Sequence, residues 1–132
     1  MQILPYGGDV MEKGPFTQVG EYIEAFNHST SQSIPCGPIL QFPGLETHVK
    51  KHHPNIAASV GLISQIIAEP DFIGHNPKEP NSIELVKVFS KNLMVCIKLD
   101  QDRNYLYVAS MYDITEGKLQ NRIKSGRLKF FK

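Results

Sequence analysis

No run of about 18 apolar residues occurs in the chain, so a membrane-spanning helix is not expected. The opening Met1-Gln2-Ile3-Leu4-Pro5-Tyr6-Gly7 has no cationic start followed by an apolar stretch, and no export signal is expected from it. Cysteine is scarce: Cys36 stands between proline and glycine, and Cys96 lies inside an apolar strand candidate. Two isolated cysteines read as free thiols rather than a disulfide framework, which goes with a cytoplasmic setting. Neither GxGxxG nor GxxxxGK followed by Ser or Thr is present, so the glycine-rich phosphate-cradling loops are excluded. There is no GxSxG elbow for a hydrolase serine and no CxxC pair. Internal repeats and low-complexity tracts are also missing.

What is present suits one globular domain. A chain of 132 residues can bury a core without a staple, and its 20% charged residues are too few for disorder. Net charge is only +1, but it is unevenly spread. From Lys118 onward come Lys118, Arg122, Lys124, Arg127, Lys129 and Lys132 with no acidic residue among them. Such a tail attracts a phosphate backbone, although a solvated terminal segment has the same composition.

Glycine and proline divide the chain. Residues 1–37 read as a peripheral N-terminal segment holding one short amphipathic helix over residues 17–26, with Val19, Tyr22, Ile23 and Phe26 at helical spacing. Residues 38–132 read as the main domain. There the pattern predicts a helix over residues 44–53, closed by Pro54, and a second over residues 56–69, ended by Pro70. A long ordered loop is expected over residues 71–82. Three strands follow at residues 83–89, 93–99 and 105–111, joined by three to five polar residues. Connections that short imply antiparallel hairpins. A short helix over residues 118–125, a break at Gly126 and a fourth strand at residues 127–131 complete the chain. The expected fold is α+β, with N-terminal helices packed on a three- to four-stranded antiparallel sheet.

Three of the five histidines fall within six residues: His48, His52 and His53. Histidine titrates near neutrality and can take or give a proton. His48 and His52 share a helix face, and a solvated helix end suited to the dipole explains them equally well. They also form half of a zinc pattern, for which Asp71, His75 or Cys36 could be a third ligand. The residues between them are Val49-Lys50-Lys51, however, which would repel a cation and lack a zincin glutamate. A second polar cluster, Ser110, Tyr112, Asp113, Thr115 and Lys118, follows the third strand. Strict alternation there puts Ser110 with Leu106 and Val108, and Met111 with Tyr105 and Tyr107.

The run Gly44-Leu45-Glu46-Thr47-His48-Val49-Lys50-Lys51-His52-His53-Pro54 resembles the Gly-Leu-x-x-His-x-x-x-x-His-Pro helix of phage-type nucleases related to the barnase, EndoU, colicin and RelE ribonucleases. Ile66-Ile67-Ala68-Glu69-Pro70-Asp71-Phe72-Ile73-Gly74 continues the likeness, as do Ala109-Ser110-Met111-Tyr112, Lys118-Leu119 and Ser125-Gly126-Arg127-Leu128. The resemblance covers residues 38–131. It implies helices followed by an antiparallel sheet, and an RNA-directed endonuclease of phage or toxin type that works by general acid/base transesterification without metal or other cofactor. By position it matches His48, His53, Ser110 and Lys118 to the family's residues, with His52 where a basic residue is more usual. The chemistry of such cleavage then adds Tyr112 to the expected catalytic set and makes His52, Arg122 and Arg127 the expected substrate-binding residues. Ser110 stands where many relatives have threonine, so the hydroxyl is kept and the methyl is not. RNA is the implied partner, with room for a cognate inhibitor protein and none for a membrane; oligomeric state is left unassigned. Three alternatives stay open: an RNA-binding module without catalysis, a protein-interaction module, and a zinc-dependent hydrolase.

Overall fold

The computed structural model describes residues 15–131; the expectations for the opening stretch and for Lys132 lie outside them. The three long strands are present: β4 (Ser82–Val88), β5 (Asn92–Asp100) and β6 (Tyr105–Ile114) form an antiparallel meander. We number the shorter strands β1 (Thr17–Tyr22), β2 (Gly37–Gln41), β3 (Phe72–Gly74) and β7 (Leu128–Phe130). The helices are α1 (Glu24–Thr30), α2 (Gly44–His52), α3 (Ile63–Ala68) and α4 (Glu116–Lys124), with a 3-10 helix at Pro54–Leu62.

The α+β class holds, but the sheet is larger than expected and is mixed. Its seven strands run β1-β2-β6-β5-β4-β3-β7. Ile39 and Leu40 of β2 pair in parallel with Leu106 and Tyr107 of β6, where three to four antiparallel strands were expected. The three unforeseen strands are short and glycine- or proline-marked, so they carry no run long enough to announce a strand. Pairing with a neighbour, not local propensity, makes them strands. The expected helix over residues 17–26 is strand β1 followed by α1. Tyr22 and Phe26 are both 1% exposed and meet edge-to-face at 5.3 Å, which gives four-residue spacing without one continuous helix. The expected helix over residues 56–69 is the 3-10 helix followed by α3.

Alternation in the meander separates two cores. Ile83, Leu85, Leu93, Val95, Ile97, Leu106, Val108 and Met111 face the side covered by α1, α2, the 3-10 helix and α3. Burying each such aliphatic side chain contributes about 1.5–3 kcal/mol. A one-residue slip would turn the whole row outward, so this face fixes the register. On the opposite face α4 covers only one end. Leu119 and Ile123 pack there on Phe72, Val86, Met94, Ile114 and Leu128. The rest of that face stays open. Among the described residues no helix is long and apolar enough to cross a membrane.

Candidate active site

The open sheet face holds a recess of about 280 Å³ walled by Asn76, Glu79, Glu84, Lys98, Tyr107, Ser110 and Tyr112, among others. A β-bulge shapes it. Cys96 faces Ser110 and Ile97 faces Val108, so Ala109 is an extra residue in β6. The bulge overturns the strict alternation expected for this strand. Ser110 turns toward Tyr107 and Tyr112 in the recess, while Met111 joins Leu106 and Val108 in the core.

Beside it, a wider recess of about 670 Å³ is lined by His75, Lys78, Tyr112, Arg122, Ser125 and Arg127. Tyr112 and Asn76 belong to both recesses. Arg127 reaches this position through two glycines. Gly126, at φ +84°, makes the turn from α4 into β7, a conformation that disfavours any side chain. Gly74 in β3 lies opposite Leu128, and a Cβ there would come within 1.9 Å of the Arg127 carbonyl oxygen.

Arg127 is held by Glu84 of β4. Its Nε donates to Oε1 at 2.9 Å and its Nη2 to Oε2 at 2.6 Å, a two-pronged ion pair with Glu84 only 3% exposed. The carboxylate raises the Arg127 pKa further, against the opposing effect of burial. At the other end of the recess Lys98 pairs with Glu79. Burial of Lys98 is the largest single effect and disfavours its charge. The hydrogen bond and charge of Glu79, with smaller help from Tyr107 and Cys96, together outweigh it, and its pKa is raised.

Burial pushes the Tyr112 phenol up to about 12, with the Glu84 carboxylate and, once it ionises at high pH, the Cys96 thiol adding to the effect and Arg122 opposing it. Tyr112 is therefore a neutral O–H donor at neutral pH. Burial likewise pushes the Cys96 thiol up to about 12, which leaves it protonated and poorly nucleophilic. Cys36 and Cys96 are both free, as expected.

The histidine helix packs behind the sheet, but its end comes round the edge. Past Tyr107, β6 has no strand pairing with β2, and the junction of α2 with the 3-10 helix lies against it instead. Asn55 donates to both carboxylate oxygens of Asp113 at 3.1 Å and ties the junction to β6. His53 then stacks on Tyr112, with ring centroids 5.4 Å apart and planes 28° from parallel. The His48 ring is 4.7 Å from that of His52 and 6.5 Å from that of His53.

The structure thus brings Tyr112, Arg122 and Arg127 into one recess and Ser110 into its neighbour. His53 lies outside both linings and reaches them only through its contact with Tyr112, and His48 also lies outside, 6.5 Å from His53 ring to ring. Two further expected residues are not brought there either. Lys118 is exposed on the first turn of α4 and lines neither recess; its backbone N–H bonds to the capping hydroxyl of Thr115 at 3.1 Å. His52 is exposed and lies outside both linings. Glu84, Lys98, His75 and Asn76 were not singled out beforehand as members of this site. For Glu84 a signal existed: a carboxylate in the middle of Ile83-Glu84-Leu85-Val86 must be paired if the strand is buried. For the loop residues none did, because their place depends on how the loop after β3 folds over the sheet.

No group of three or more His, Cys, Asp or Glu among the described residues is arranged to hold a metal. His75 bonds the Glu79 carbonyl, Asp71 accepts from the Val88 N–H, and Cys36 sits beside Glu24, so none of the three completes a site with His48 and His52.

Fold and site together define a small α+β domain with a polar, arginine-lined recess on one face of its sheet. The family described as phage-Barnase-EndoU-ColicinE5/D-RelE like nuclease3 matches residues 17–121, and the chain belongs to it as a nuclease domain whose substrate class is nucleic acid. Neither a curated protein nor a solved structure matched the chain.

Proposed function

We propose that this nuclease domain cleaves RNA by metal-independent general acid/base transesterification. The 2′-hydroxyl attacks the adjacent phosphorus and gives its proton to one of His48 and His53. The other histidine protonates the departing 5′-oxygen, leaving a 2′,3′-cyclic phosphate and a free 5′-hydroxyl. Arg122 and Arg127 face the charge that grows on the non-bridging oxygens. Ser110 and Tyr112 orient the phosphate by hydrogen bonding. His52 and Lys118, both exposed, take outer phosphates of the strand rather than the reacting one.

One observation supports this reading above the rest: His53 stacks on Tyr112 at 5.4 Å, and Tyr112 walls the recess that Arg122 and Arg127 line. One histidine of the cluster thus contacts a donor that shares a recess with two cations distant from that histidine in sequence. The neutral phenol is also the form that can donate to an oxyanion.

Cleavage of an RNA oligonucleotide, with and without EDTA, tests the proposal. Products ending in a cyclic phosphate, resistant to EDTA and reduced by about a hundredfold or more in His53→Ala and His48→Ala, are expected. Activity unchanged by both substitutions would remove the histidine assignment, and activity abolished by EDTA would favour the zinc alternative. Salt-sensitive RNA binding without products would favour the module that has lost catalysis.

A further inference from the structure

Glu84 is the most buried charged side chain in the open sheet face, and no step of the proposed cleavage uses it. Both of its oxygens are taken by Arg127, through Nε and Nη2. Its side chain is 4% exposed, against 25% for that of Arg127. A phosphate therefore cannot displace the carboxylate without leaving a charge buried and unpaired. What Arg127 can offer an anion is its remaining Nη1 edge, held still by the two bonds behind it. The pair is close to neutral as a unit, so it adds little to the long-range attraction of a polyanion. That attraction falls to Arg122 and Lys78, which share the recess.

We infer that Glu84 is a positioning residue: it fixes the Arg127 guanidinium for the transition state and, by neutralising it, weakens binding of RNA in the ground state. This rests on the ribonuclease reading for its catalytic half and not for its binding half. Fixed donors aimed at developing charge raise turnover, whereas a loose cation mainly raises affinity. Losing the carboxylate should therefore move affinity and rate in opposite directions. A purely structural role would lower both, and a proton-accepting role would leave affinity alone and remove the acidic limb of the pH–rate profile.

The test is Glu84→Gln, which keeps the side-chain shape and one acceptor for Arg127, with folding checked by thermal melting. Binding is measured on a non-cleavable 2′-deoxy oligonucleotide, so that it needs no catalysis. Expected is tighter binding, on the order of fivefold in moderate salt, with the log–log salt slope steeper by about 0.7 for the added charge. Single-turnover cleavage of the matching RNA should fall by about tenfold to a hundredfold, with the pH–rate profile unchanged in shape. Arg127→Lys, which keeps the charge and loses the fork, should lower the rate and leave the salt slope as it was. Weaker or unchanged binding by folded Glu84→Gln, a wild-type rate, or a lost acidic limb would each overturn the inference. If Glu84→Gln does not fold, Glu84→Asp takes its place: it keeps the charge but shortens the reach to Arg127. The rate should then fall with affinity and salt slope unchanged, and a wild-type rate would overturn the inference. If the wild-type protein cleaves no RNA, the ribonuclease reading falls, and the binding arm alone decides whether Glu84 neutralises Arg127.

Discussion

At the scale of single residues, the site depends on a few side chains whose environment changes what they can do. Tyr112 stacks on His53 with its ring, and burial moves its ionisation still further above neutrality. Tyr112→Phe should keep the stack and lose the donor. We expect roughly 1 kcal/mol lower stability and slower cleavage, read by thermal melting and an oligonucleotide assay; an unchanged rate would remove the hydroxyl from the mechanism. Cys96 and Tyr112 both have raised pKa values in the folded chain. For groups neutral when protonated, a raised folded pKa means that the unfolded chain gives up its proton first. Their contribution is complete at neutral pH and is lost as pH rises, from the ordinary thiol value of 9.0 toward about 12. The melting temperature should fall over that window, and Cys96→Ala should flatten the first part of the fall. Gly74 is the backbone counterpart. Gly74→Ala would drive its methyl into the Arg127 carbonyl 1.9 Å away, and the strand pair must separate to relieve it. A loss of about 1–3 kcal/mol is expected by chemical denaturation; a stability equal to wild type would mean that β3 and β7 are not held this closely.

At the scale of elements, the meander was legible and the strands around it were not. β4, β5 and β6 each present a run of apolar, β-branched and aromatic residues bounded by polar turns, which is enough for identification. β1, β2 and β3 are of six, five and three residues, and each is a strand only because a neighbour supplies its hydrogen bonds. The bulge at Ala109 is hidden in the same way, since one extra residue is visible only against the partner strand. Helix α2 was legible to within a residue because Pro54 closes it. Which way its last turn points was not, and the Asn55–Asp113 contact decides that. Asn55→Ala should free this junction. Both partners are accessible, so at most about 1 kcal/mol of stability is at stake. Cleavage should drop severalfold more than RNA binding does, because His53 loses its fixed place over Tyr112. Equal losses in the two assays would argue against a positioning role for the junction.

At the scale of the whole molecule, a net charge of +1 gives no general attraction to a polyanion. Any attraction must come from where the cations sit. Arg122, Lys78 and Arg127 line one recess, Arg127 being offset by Glu84, while Lys98 is offset by Glu79. Binding to single-stranded RNA should therefore have a shallow salt dependence, with a log–log slope of roughly −1.5 to −2 for two or three neutralised phosphates. Arg122→Ala should reduce it by about 0.7. A slope near zero in the wild-type chain would mean that the recess does not hold the backbone.

The histidine cluster, the exclusion of nucleotide-cradling loops, the α+β class and the meander were determined by sequence alone, because each depends on residues close together along the chain. Those features answer to local rules: helical spacing, strand alternation, the closing effect of proline. Only the tertiary structure decided that the two largest polar groupings meet. His53 reaches Tyr112 because β2 leaves β6 early and opens an edge, and Arg127 enters the recess because Gly74 lets β7 come close. Neither event has a local signature. Both are set by the packing of one strand against another, and the same packing left Lys118 outside and placed Glu84, a single carboxylate in an apolar strand, beneath the arginine it holds.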